Sequence, residues 1–117
     1  QLGSAEGVKQ LFAADRRVAE QNPDDRDVQV QIADKYRTHG WYEGAIPFYE
    51  RALNARGAAS AAQQVLIGMA RCYARLKRYE DVKRRLKQAG FTSLRSFAED
   101  PDFAEMRDHP SHREAFK

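Results

Sequence analysis

An internal repeat constrains this chain more than any other feature. Ile32, Ala33, Tyr36, Tyr42, Ala45, Tyr49 and Ala52 lie over Met69, Ala70, Tyr73, Tyr79, Val82, Leu86 and Ala89, every pair offset by 37 residues. The spacings within the two sets are identical. Repetition at a period of roughly 20–50 residues marks folds in which each unit buries its apolar face only against its neighbour. The steps of three and four are helical, because residues so spaced share one helix face. Aromatic and small residues alternate, so two helices can cross closely: Tyr36 and Tyr73 fill the gap, while Ala45, Ala52 and Ala89 permit the near approach.

The punctuation agrees. Helix formers dominate, and runs of β-branched residues are absent. Breaks fall at Asn22-Pro23-Asp24-Asp25, His39-Gly40, Arg56-Gly57, Lys77-Arg78, Ala89-Gly90, Asp100-Pro101 and His109-Pro110. Glycine and proline stop helices, and Asp, Ser and Asn cap them. The segments between predict helices over 5–21, 25–39, 42–56, 59–76 and 79–89, followed by three short pieces. Pro47 falls near the first turn of its helix, where a missing N–H does least harm.

These positions resemble the tetratricopeptide repeat, a family of 34-residue helix-turn-helix units. Gly40 stands where that family places its turn glycine, and Asn22-Pro23 resembles the proline-bearing turn that ends a repeat. The resemblance covers 25–90, and more loosely 5–24, where Asp15 and Val18 replace an aromatic and an alanine. The second unit departs from the pattern with Lys77 in place of the turn glycine and Val82 in place of an alanine, which implies a slightly wider helix spacing. The period of 37 implies about three extra residues at Gly57-Ala58-Ala59-Ser60. A generic helical bundle is the alternative.

The implied fold is all-α: antiparallel helix pairs stacked as a short right-handed solenoid, with short capping helices at the C-terminus. Residues 1–4, Gln1-Leu2-Gly3-Ser4, read as a cloning scar. Residues 5–117 form one domain, comprising a half repeat or capping helix (5–24), two repeats (25–58 and 59–90) and a capping segment (91–117). In that segment Asp100-Pro101-Asp102-Phe103 reads as a cap with proline at the first helical position, and Ser111-His112-Arg113-Glu114 as a capping box. Phe97, Phe103, Met106 and Phe116 are the expected anchors, closing an apolar face the last repeat would leave open. The wording of the segment also resembles the closing stretch of many bacterial proteins of this repeat class.

Little in the chain suggests chemistry. Hydrophobic residues make up 42% and no run approaches a membrane span. Cys72 is the single cysteine, so packing alone holds the chain, which suggests a cytoplasmic protein. It reads as a small packing residue. His39, His109 and His112 have no acidic or thiol partner at metal-ligand spacing. The clusters Asp24-Asp25-Arg26-Asp27 and Glu99-Asp100-Pro101-Asp102 lack the glycine and closing glutamate of a calcium loop and read as helix caps. No phosphate loop or nucleophile elbow occurs. The expectation is no enzyme, no cofactor and no metal.

Function then rests on the resemblance, which implies binding on the concave side lined by the first helix of each pair. The groove residues are Asp27, Val30, Asp34, Arg37 and Thr38 in one unit and Gln64, Ile67, Arg71 and Arg75 in the other. Arg71 and Arg75, one turn apart, suit a fork-like grip on a carboxylate; alternatively Asp34 neutralises Arg71 across the groove. The Lys and Asn pattern with which some family members hold a C-terminal carboxylate is absent, its places taken by Val30, Asp34 and Gly68. The expected function is a protein-protein interaction module for an acidic-hydrophobic peptide or helix. The alternatives are self-association or a solenoid segment of a larger scaffold. Less favoured is binding to nucleic acid or an anionic surface through the basic helix 75–87, since Glu80 and Asp81 interrupt it and aromatics are not interleaved.

Overall fold

The computed structural model describes residues 5–55 and 59–117. The expected cloning scar, and the part of the long inter-repeat turn at Gly57 and Ala58, lie outside them. The described residues are all-helical: α1 (Ala5–Leu11), α2 (Ala13–Gln21), α3 (Arg26–Thr38), α4 (Tyr42–Asn54), α5 (Ala59–Arg75), α6 (Tyr79–Gln88) and α7 (Ala104–Asp108), with 3-10 turns at Arg95–Phe97, Pro101–Phe103 and Arg113–Phe116. Helix α5 begins at Ala59, as the helix predicted over 59–76 has it, so Ala59 and Ser60 do not extend the turn.

Two helix hairpins form the body. Buried Arg26 opens α3 and donates from Nε to Ala52 O at 2.7 Å and from Nη2 to Ala55 O at 2.6 Å, at the end of α4. The start of one helix thus meets the end of the next, so the pair is antiparallel. The guanidinium thus supplies donors to carbonyls in the last turn of α4, where intrahelical donors run out, and opposes the negative end of the helix dipole. Gln63 Nε2 bonds Ala89 O at 3.0 Å and sets α5 against α6 in the same way. Gln29, fully buried, closes α2 by donating to Ala19 O and Asn22 O.

The turn between each pair is a left-handed cap in which the sixth residue bonds back to the first. Gly40 has φ +85°, and Trp41 N bonds Tyr36 O at 2.8 Å. Thirty-seven residues on, Lys77 has φ +61° and Arg78 N bonds Tyr73 O at 2.8 Å. Lys77 therefore adopts the glycine conformation at a steric cost and preserves the turn. A third copy closes α6: Gly90 has φ +100°, and Phe91 N bonds Leu86 O at 2.9 Å.

The core follows the repeat. Ile32, Ala33, Tyr36, Ala45, Tyr49 and Ala52 are buried, as are Met69, Ala70, Tyr73, Val82 and Leu86. Tyr36 packs against Trp41 and Phe48, ring centroids 4.6 and 5.6 Å away. Tyr42, Tyr79 and Ala89 are only half-buried. Tyr79 packs at the edge of the core and also against the rings of His109 and His112.

Two local expectations are corrected. The helix expected over 5–21 breaks at Phe12, whose backbone (φ −113°, ψ 26°) leaves the helical region while its ring packs 4.8 Å from His39. The capping box at Ser111 does not form. His112 is the cap residue of a four-residue 3-10 turn and makes no side-chain cap bond, while Ser111 N donates to His109 Nδ1. Asp100 does cap as expected, its Oδ1 accepting from Asp102 N at 2.9 Å. Phe97, Phe103, Met106 and Phe116 are all buried, with Phe103 against Phe97 and Phe116.

Candidate functional site: an arginine cluster on the α3–α5 face

Helices α3 and α5 share a face, and Tyr49 helps to shape it. Its ring, projecting from α4, occupies the space a side chain at Gly68 would need: a Cβ there would lie 2.7 Å from the ring. The glycine lets the phenol pass α5. Tyr49 Oη donates a short hydrogen bond to Asp34 and accepts one from Arg37 Nε at 2.9 Å. Burial, then the bond given to Asp34, raises the phenol's pKa, so it stays a neutral donor. Burial works against charge on Arg37, but its contacts with Tyr49 and Asp34 outweigh it and raise its pKa.

Arg37 is one of three guanidinium groups that converge. Arg75 Nε bonds Asp102 Oδ1 at 2.9 Å. Asp102 Oδ2 lies 3.6 Å from Arg71 Nε and 3.8 Å from Arg37 Nη1. Arg71 Nη2 bonds Asp100 Oδ2 at 2.8 Å. The two carboxylates come from the segment that opens the 3-10 turn at Pro101–Phe103, which crosses against α5. The bond to Asp102 raises the pKa of Arg75. Arg71 does not pair with Asp34; its partners are Asp100 and Asp102. Asp34 pairs instead with Arg37, Nη2 to Oδ1 at 3.7 Å.

The other expected residues lie elsewhere. Asp27, Val30 and Gln64 line a shallow depression with Arg26, Gln31 and Ala61 toward the opposite end of the same face. Val30 and Ile67 are half-buried against the core. Thr38 takes no part, since its hydroxyl bonds Lys35 O within its own helix. Sequence reasoning missed Asp100, Asp102 and Tyr49 as members of the cluster. The two aspartates carried a signal, an acidic pair beside a turn proline, but read only as a cap.

The basic run is largely neutralised. Arg78 and Arg84 both pair with Asp81, Lys83 with Glu80 and Lys77 with Glu105. Cys72 is fully buried and its thiol is pushed up to about 12 by burial, which keeps it protonated. His109 and His112 meet with ring centroids 5.1 Å apart, and burial, with Lys83 and His109 nearby, lowers the pKa of His112. Among the described residues no cluster of His, Cys, Asp or Glu could hold a metal ion, and no helix is long and apolar enough to cross a membrane.

Neither a family model, nor a curated protein, nor a solved structure matches this chain.

Proposed function

We propose that this chain is a tetratricopeptide-type protein-interaction module that binds an acidic-hydrophobic peptide or helix on the face formed by α3 and α5. In this reading the two hairpins are successive repeats of a short right-handed solenoid, and that face is its concave side. The recurrence of the same left-handed turn at Gly40 and Lys77, with matched core positions between, supports the repeat. The observation that carries the function is the convergence of Arg37, Arg71 and Arg75 from two helices onto one point. Half-buried Val30 and Ile67 are on the same two helices. Guanidinium forks select carboxylates, and apolar contact supplies most of the affinity. A dissociation constant of about micromolar strength is expected for such a peptide.

The test is a binding screen of acidic-hydrophobic peptides against the parent, the groove variant Arg71→Glu with Arg75→Glu, and the outer-face variant Lys83→Glu with Arg84→Glu. The groove variant is expected to lose the peptides the parent selects while the outer-face variant retains them. The reverse pattern moves the binding site to α6 and refutes the reading.

A second reading has its own observation. Leu11 and Val18, on α1 and α2, are exposed at 62% and 46%, as expected where a scaffold continues or a second copy stacks. Light scattering that shows concentration-dependent association, abolished by Leu11→Ser with Val18→Ser, would favour it.

A further inference from the structure

We propose that the arginine cluster is a receptor for a carboxylate pair two residues apart on a partner protein, and that Asp100 and Asp102 are its resident intramolecular occupant, so that binding is an exchange. The proposal rests on the reading of the α3–α5 face just given and names the chemistry of its ligand.

Three features carry it. First, the charge is gathered rather than scattered. Arg37 comes from α3 and Arg71 and Arg75 from α5, and all three lie within 3.8 Å of the Asp102 carboxylate. Second, the resident occupant satisfies the site incompletely. Arg71 Nε is buried and has no hydrogen-bond partner, because Asp102 stands 3.6 Å away. One carboxylate serves three cations and gives only Arg75 a proper hydrogen bond. A ligand that meets Arg71 with both oxygens would supply the parallel pair of bonds a guanidinium fork accepts. Third, the occupant can leave without dismantling the cap. The acidic side chains are about one-fifth exposed and Arg75 more than two-fifths, so the cluster opens to solvent on the Arg75 side. The cap is held instead by Phe97, Phe103, Met106 and Phe116, all buried.

The occupant also defines the ligand. Pro101 fixes the backbone between the two aspartates in a 3-10 turn, presenting both carboxylates to α5 while Phe103 turns inward. A partner segment with an acid-x-acid pair has the matching chemistry, while Phe103 keeps its place in the cap. Because the resident pair is tethered, it competes at high effective concentration and lowers the apparent affinity for any such segment.

The experiment uses the full chain and a fluorescent, end-blocked peptide copying residues 98–104, titrated by anisotropy at constant ionic strength. Asp100→Asn with Asp102→Asn empties the site of charge while an asparagine still caps the turn. Its affinity for the peptide is expected to exceed the parent's by about tenfold or more. A peptide with both aspartates replaced by asparagine should not bind, and adding Arg71→Glu with Arg75→Glu to the double variant should abolish binding. Should the double variant unfold, Asp102→Asn alone leaves the Asp100 cap in place and should show the same direction. Acidic-peptide binding by the parent that Asp102→Asn leaves unchanged overturns the exchange alone. Binding that survives the arginine reversals overturns the concave-face reading as well, and no binding by any variant overturns both. A concentration-dependent dimer of the parent that the peptide dissociates would give the site to a second copy of this chain and overturn the assignment to a different partner.

Discussion

Cys72 and Tyr49 each carry an ionisable group into the interior. Each is held neutral by burial, the thiol at a pKa of about 12 and the phenol shifted in the same direction. A free thiol ionises near 8.5. A folded pKa raised above the unfolded value adds stability that is complete below about pH 8.5 and is lost as pH climbs toward the folded value. Urea midpoints measured from pH 8.5 to 10.5 should therefore fall, and Cys72→Ala should reduce the slope. Equal slopes would mean the thiol titrates freely. In the folded protein Cys72 should also resist thiol reagents at pH 8. The buried tyrosines of the repeat are the other test at this scale. Tyr36→Ala and Tyr73→Ala should each cost about 3–5 kcal/mol, as large aromatic truncations in cores do. Melting temperatures within a degree of the parent would show that the 37-residue register is wrong.

At the level of helices and turns, the sequence was most legible where the signal is local. The bounds of α3 to α6 lie within two residues of those predicted, because caps and turn residues act on their neighbours. The left-handed turn at Lys77 was anticipated as a departure, yet the backbone keeps the glycine conformation there. Gly40→Val should destabilise by at least about 1–2 kcal/mol, since a side chain at positive φ collides with the backbone. Lys77→Gly should leave the melting temperature unchanged or raise it. It removes that strain against roughly 0.5–1 kcal/mol of chain entropy and an exposed pair with Glu105. A fall of several degrees would show that the turn is not strained. The misses were non-local or geometric. Arg26 reaches carbonyls 26 and 29 residues away, and no spacing rule announces that. Phe12 breaks a helix whose composition is unbroken, as its ring packs against His39.

For the whole molecule, the arginine stripe was visible in the sequence as helical spacing on α3 and α5, but its occupant was not. Asp100 and Asp102 carry ordinary capping signals, and only the path of the 91–117 segment across α5 brings them to Arg37, Arg71 and Arg75. The same folding step that closes the apolar end of the second hairpin with Phe103 and Met106 delivers two carboxylates to the cationic face. Cap and candidate site are therefore one assembly. The most direct test is a nuclear magnetic resonance titration of the arginine Nε–Hε signals with an acidic-hydrophobic peptide. The signals of Arg37, Arg71 and Arg75 should shift together with the backbone amides of Asp102 and Phe103, while Arg84 on α6 stays still. Shifts confined to Arg84 and the amides of α6 would contradict the assignment of recognition to the α3–α5 face.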